Sequence, residues 1–136
     1  MLNSLQKLHD FDICHNDVKL DNFVVGLAKK SSQIHVIDLG FARKFRYTRT
    51  KQHFKKKNTG LVIGSRAFLS INSHGGNTHS RQDDLESLAY VLVNMLHPNL
   101  VGQLAVCKNV PIQSIKKQLV RYLQRPSLSC FAASDD

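Results

Sequence analysis

The sequence predicts an α+β fold, mainly α, with a small β-hairpin beside a polar loop. Three observations carry this expectation. Residues 80–96 hold a long apolar stripe at helical spacing. Residues 23–27 and 33–37 are short, apolar and partly β-branched, and they flank a polar turn. Further helical stripes occur at residues 3–10 and 111–124.

At 136 residues the chain has room for one domain. A chain of this length can bury roughly 68% of its unfolded surface, enough for one core. The hydrophobic content of 42% argues against wholesale disorder. The longest clean apolar run, Leu88–Val93, is far short of the roughly 18 residues of a membrane span. The N-terminus lacks a basic n-region followed by an apolar h-region, so no secretory signal is expected. Cys14, Cys107 and Cys130 are odd in number, widely spaced and form no CxxC pair, which points to a reducing compartment. A monomer in the cytoplasm, the nucleus or both is expected.

In chain order, Leu2, Leu5 and Leu8 recur at three-residue spacing and Phe11 continues the stripe, which predicts the end of a helix over residues 3–10. It has no start signal, so the helix is expected to begin before the chain does. Residues 14–22 are polar and read as a loop. Phe23–Leu27, the polar turn Lys29–Ser32 and Gln33–Ile37 form the hairpin. Residues 41–72 are charged and weakly periodic, which predicts a long irregular segment, and Ser70–Thr78 reads as a turn. Ser80 with Asp83 resembles a capping box opening the helix to Leu96, with Leu85, Leu88, Ala89, Leu92 and Leu96 on its expected core face. His97-Pro98 ends it. Pro111 opens a second amphipathic helix to Gln124, and the small, polar terminus reads as frayed.

Charge is distributed unevenly. The net charge is +9, and Arg43–Lys57 holds eight Lys/Arg with no Asp or Glu. Such a run attracts phosphate, acidic peptide, nucleic acid or an anionic surface, and otherwise forms a solvated loop. Phe45, Tyr47 and Phe54 interleave the cations as stacking platforms for a nucleic acid would. An acidic protein is the expected partner in preference to nucleic acid. His74 and His79 lie five apart across a glycine turn with no further ligand at usable spacing, so they read as turn histidines rather than a zinc site.

The chemistry-bearing residues lie in His15-Asn16-Asp17-Val18-Lys19-Leu20-Asp21-Asn22 and in Asp38-Leu39-Gly40. Phosphoryl transfer needs charge neutralisation and in-line placement more than covalent chemistry. Asp17 would accept or orient the proton of an attacking hydroxyl, and Lys19 would sit against the transferring phosphate. Asn22 and Asp38 would hold magnesium, a hard cation that prefers oxygen ligands. Gly40 permits a sharp turn after the metal ligand. Asn22 enters the first strand of the hairpin and Asp38 leaves the second, so pairing sets the two ends side by side.

These motifs resemble the protein kinase superfamily and, within it, the casein kinase I group of Ser/Thr kinases. The resemblance rests on residues 15–23, on Val36-Ile37-Asp38-Leu39-Gly40-Phe41-Ala42, on Ser70-Ile71-Asn72-Ser73-His74 and on Ser80–Leu88. It covers residues 1–97 or so. It implies transfer of the γ-phosphate of ATP, with magnesium, to acidic or already phosphorylated protein substrates. It also implies that Asp84 braces the catalytic loop through its backbone, that His15 is a structural pin, and that Ser65 takes the place of a threonine contacting Asp17 and Lys19. Arg43–Lys57 would fall in the activation segment, with Arg43, Lys44 and Arg66 as candidates to meet a substrate anion.

The sequence also departs from the pattern. Asn16 replaces the usual arginine before the catalytic aspartate, so switching by a phosphorylated activation loop is not expected. Arg66-Ala67-Phe68-Leu69 replaces the group's Ala-Arg-Tyr-Ala pattern, and Ala89 stands where glycine is common. No Gly-rich loop, strand lysine or helix glutamate for a nucleotide occurs. The resemblance therefore implies a truncated large (C-terminal) lobe, with a partial kinase domain over residues 1–125 and a flexible tail over 126–136. Two readings remain open: a phosphoryl-transfer enzyme, and an inactive kinase-derived binding module for acidic partners.

Overall fold

The computed structural model describes residues 1–98. The expected helix at 111–124, the tail at 126–136, Cys107 and Cys130 lie outside the described residues. Among those described there are three α-helices and two two-stranded antiparallel sheets.

Helix α1 spans Leu2–Asp10. Its buried side chains are Leu5 and His9, while Leu2 and Phe11 are exposed. This corrects the expected stripe. A helix turns once every 3.6 residues, so residues three apart drift around the cylinder, whereas Met1, Leu5 and His9 stay on one side. Asp12 follows at φ 67° and turns the chain into strand β1, Ile13–Cys14. Asp is among the residues that tolerate this left-handed conformation best.

The loop after β1 ends in a short 3-10 turn, Leu20–Asn22, which leads into β2, Phe23–Val25. Strand β3, Ile34–Val36, pairs with β2 in the register Phe23↔Val36, Val24↔His35 and Val25↔Ile34. Both strands are shorter than the apolar runs that predict them, because Leu27 is almost fully exposed and nothing extends the ladder to it.

Residues 41–72 are more ordered than their weak periodicity implies. Strand β4, Arg43–Lys44, pairs with β1 as Ile13↔Lys44 and Cys14↔Arg43. Beyond it, residues 45–54 double back: Tyr47 N–H donates to Gln52 O at 2.9 Å and Phe54 N–H to Phe45 O at 3.1 Å. Asp12 holds this return from below, its carboxylate accepting from Arg46 Nε and, at 2.8 Å, from Lys51 Nζ. Phe45 is buried, with the guanidinium groups of Arg46 and Arg81 at 5.2 and 5.1 Å from its ring centre. The shared Asp12 carboxylate and the buried Phe45 ring explain how so basic a segment closes on the body of the protein.

The expected turn at Ser70–Thr78 contains a short helix, α2, Ile71–His74. Ser70 caps it, its hydroxyl accepting from Ser73 N–H at 2.9 Å. Ile71 N–H donates to Glu86 at 2.7 Å and Asn72 Nδ2 to Asp83 at 3.1 Å, which fixes α2 to the start of α3, Arg81–Leu96. Asp83 also accepts from Ser80 N–H at 2.6 Å, so one carboxylate serves the cap and the neighbouring helix.

The core brings Leu5 of α1 together with Val18 of the loop and Leu88 and Val91 of α3, with Phe23, Val36 and Phe68 packed against them. Here the expected face of α3 needs correction. Leu88 is buried, but Leu85, Leu92 and Leu96 are exposed. The inward line is Asp84, Leu88 and Val91. One residue is 100° around a helix. The requirement that Asp84 reach the loop backbone sets the rotation, and it carries Leu85 and Leu92 outward.

Candidate active site

The loop from His15 to Asn22 is polar yet largely buried, so its groups must find partners inside the protein. Asp84, 1% exposed, supplies the first of them. Its Oδ2 accepts from His15 N–H at 2.8 Å and from His9 Nε2–H at 2.9 Å, while its Oδ1 accepts from Asn16 N–H at 2.9 Å. Helix α3 thereby grips the loop by two successive backbone amides. His15 ties the loop to the hairpin. Its Nδ1 accepts from Asp17 N–H at 3.2 Å, which leaves the proton on Nε2 to donate to Ile37 O at 2.9 Å.

Asp17 is 3% exposed and stands at the centre. Its Oδ1 accepts from Ser65 N–H at 2.7 Å. Its Oδ2 lies 3.0 Å from Lys19 Nζ and 3.3 Å from Asn22 Nδ2. Asn22 Nδ2 also donates to Asp17 O at 2.8 Å. Burial raises the Asp17 pKa, but the bonds from Ser65 and Lys19 outweigh it and hold the carboxyl below its ordinary range. In return the bond to Asp17, helped by its charge and by those of Asp21 and Asp38, raises the Lys19 pKa. Both groups are charged at neutral pH.

Ile37 N–H donates to Asn22 O at 2.9 Å, so the end of the hairpin returns to the residue where it began. Asp38 follows at φ 60° with its carboxylate exposed, and Oδ1 accepts from Gly40 N–H at 3.2 Å. Among the described residues five non-glycine positions have positive φ, and Asp12, Asn16 and Asp38 are three of them. Such conformations persist where surrounding contacts enforce them.

Gly64, at φ 101°, allows Ser65 to reach Asp17. A Cβ there would come within 2.3 Å of Asn16 O, a backbone atom with little room to move.

Asp17, Lys19, Asn22 and Ser65 therefore form one cluster, with Asp38 and Gly40 beside it and His15 and Asp84 beneath. Arg66 is exposed one residue beyond Ser65. Arg43 and Lys44 lie on β4, beside Cys14 and Asn16 rather than in the cluster. Sequence reasoning missed four residues. Asn16 Nδ2 donates to Phe41 O at 2.8 Å and its Oδ1 meets His79 Nδ1 at 3.0 Å, so its amide links the loop to segments on either side. Burial lowers the His79 pKa despite nearby Asp83 and Asp84. Asp12 and His9 make the ion-paired and hydrogen-bonded contacts already described. Polar residues at a helix end look like solvent-facing positions in a sequence, and only the odd Asn in place of Arg signalled that this region is built differently.

His9, Cys14 and Asp84 place ligand-type atoms within 4.8 Å of one another. Both Asp84 oxygens are already engaged, and burial pushes the Cys14 thiol far above its usual range. His9 and Asp84 are hydrogen-bonded to each other, and Cys14 lies buried beside them with its thiol protonated.

The chain is a member of the protein kinase superfamily. A family model described as fungal protein kinase matches residues 1–96 of the 136, and the chain belongs to that family. Among the described residues, no helix is long and apolar enough to cross a membrane.

Proposed function

We propose that the chain serves transfer of the γ-phosphate of ATP to Ser/Thr hydroxyls of proteins, in the manner of a casein kinase I-like enzyme. Its described part is read as the middle of a kinase's larger lobe. One observation carries the reading: the buried Asp17 carboxylate gathers Ser65, Lys19 and Asn22 around itself while the hairpin returns Asp38 to Asn22.

The residues present fit magnesium. Asn22 turns its amide nitrogen to Asp17, and its Oδ1 accepts no hydrogen bond among the described residues. Asp38 offers an exposed carboxylate. Both are hard oxygen donors of the kind this ion takes. Bound Mg-ATP would supply the phosphoryl group and neutralise its charge. Asp17, held ionised, would accept a hydrogen bond from the substrate hydroxyl and orient its oxygen. Lys19, held protonated, would place positive charge beside the same oxygen, where negative charge has to be balanced during transfer. Ser65 and Asn22 keep the Asp17 carboxylate from rotating away.

Acidic or phosphorylated segments are the proposed substrates, because Arg43 and Lys44 of the basic segment lie beside Cys14 and Asn16 at the start of this loop. The test is incubation of the chain with γ-labelled ATP, magnesium and casein, beside Asp38→Ala and Asp17→Ala. Label transfer by the native chain and its loss in both variants is expected. Equal incorporation by all three would reject the reading.

A further inference from the structure

We propose that the cavity between the catalytic loop and the basic segment is a peptide-docking pocket that takes one apolar side chain of an acidic protein segment. It has a volume of about 450 Å³, within the usual range for ligand sites. This deepens the reading above, since it assigns a specificity pocket to the same proposed site.

The floor of the cavity is uncharged. Cys14 and Asn16 are buried there. The thiol stays protonated, and burial holds His79 neutral. The Asn16 amide is committed at both ends, to Phe41 O and to His79. The buried groups at this depth carry no charge, so a phosphate seated there would give up its hydration without a cation beside it, which makes its desolvation costly. A hydrocarbon side chain needs neither. Leu61 and Ile63 supply apolar wall.

The rim is different. Arg43 and Lys44 line it with exposed side chains, and Lys44 Nζ is bonded to the neutral Thr48 hydroxyl at 3.0 Å. Arg46 and Lys51 share the Asp12 carboxylate as an ion-pair partner, whereas these two cations face outward. An apolar anchor flanked by Asp or Glu matches both levels of the pocket at once.

Position relates the pocket to the proposed chemistry. Asn16 immediately precedes Asp17, and Ile63 lies two residues before Ser65, whose N–H holds the Asp17 carboxylate. The pocket thus shares the chain segments that carry Asp17 and Ser65, which places it beside the proposed site.

The experiment uses the full chain without nucleotide. A fluorescent acidic peptide with one leucine, and alanine at the acceptor position, is titrated by anisotropy. Saturable binding is expected. Leucine→glycine in the peptide is expected to weaken it about tenfold or more, as loss of a buried leucine does. Glutamate→glutamine in the peptide, and Leu61→Asp in the protein, are expected to weaken it similarly. Leu61 is mostly exposed, and Ile63→Ser serves as a second wall variant; circular dichroism reports folding of both. Glycine and leucine peptides binding within twofold of each other would overturn the proposal, as would full displacement by inorganic phosphate. Absence of saturable binding, or native-strength binding by both folded wall variants, would overturn it too. With no ATP and no acceptor hydroxyl present, failure here leaves phosphoryl transfer standing, and failure of transfer leaves this readout intact.

Discussion

Asp84 joins helix α3 to the polar loop of residues 15–22, and its removal gives the sharpest test of how that loop is held. The carboxylate accepts from two backbone amides, His15 N–H at 2.8 Å and Asn16 N–H at 2.9 Å, and from His9 Nε2–H at 2.9 Å. Asp84→Ala leaves both amides buried without a partner. An unsatisfied buried donor costs about 1–3 kcal/mol, so the pair should cost about 2–6 kcal/mol. That is a large share of the roughly 5–15 kcal/mol that stabilises a domain. Asp84→Asn keeps one oxygen. Whichever way its amide is turned, one of the two backbone donors loses its acceptor, so it should cost about 1–3 kcal/mol. Urea unfolding gives the ranking native, Asn variant, Ala variant, and the Asn variant should shift the midpoint by roughly 1 M. Amide exchange at His15 and Asn16 should accelerate in the Asn variant ahead of global unfolding. A cost below about 1 kcal/mol for Asp84→Ala, or equal costs for the two variants, would refute the bracing argument.

The same accounting gives three further expectations. Asp12→Asn should free residues 45–54 while leaving α1 and α3 intact, so tryptic cleavage at Arg49 and Lys51 should accelerate roughly tenfold; unchanged cleavage would mean that the ion pairs do not hold the segment. Gly64→Ala should cost about 1–3 kcal/mol and expose the Ser65 amide to exchange, because its Cβ would meet Asn16 O; native-like protection of Ser65 would contradict this. Stability should fall in two acid stages. His79 has a lowered pKa, so below its ordinary 6.5 the unfolded chain binds the extra proton and stability declines first there. Asp12 and Asp17 also have lowered values, so their contribution is complete above 3.8 and is lost as pH falls through their folded-state values. Urea midpoints from pH 8 to 3 measure both stages, and Asp12→Asn should reduce the second; a midpoint flat across the range would contradict the assigned directions.

Much of the local structure was legible in the sequence. The Ser80/Asp83 pair and the Pro98 stop bound α3 closely, since caps and breakers act within a turn. The hairpin was legible because two apolar runs flank a polar turn. The inward face of α3 was not: apolar spacing favours Leu85 and Leu92, while a single carboxylate with three distant partners sets the actual rotation. Those partners are about seventy residues away in sequence, beyond any periodicity argument. The order in residues 43–54 was hidden for the same reason. A run of eight cations reads as a solvated loop until the acid that pairs with two of them, Asp12, is found just past the end of α1.

Asp12 and Asn16 together change what the basic segment can do. Where an arginine stands before the catalytic aspartate, an incoming phosphate can organise the segment by pairing with that cation. Here the position is an amide already bonded to Phe41 O and His79, so no cation waits for a phosphate. The ordering charge lies instead within the chain, as a carboxylate 1% exposed that accepts from Arg46 and Lys51. An internal acid is present in every molecule, so closure of residues 45–54 requires no modification. Arg43 and Lys44 make no ion pair among the described residues, and both are exposed. A segment that is basic overall is thus divided by one buried aspartate into a part that holds itself down and a part that faces outward.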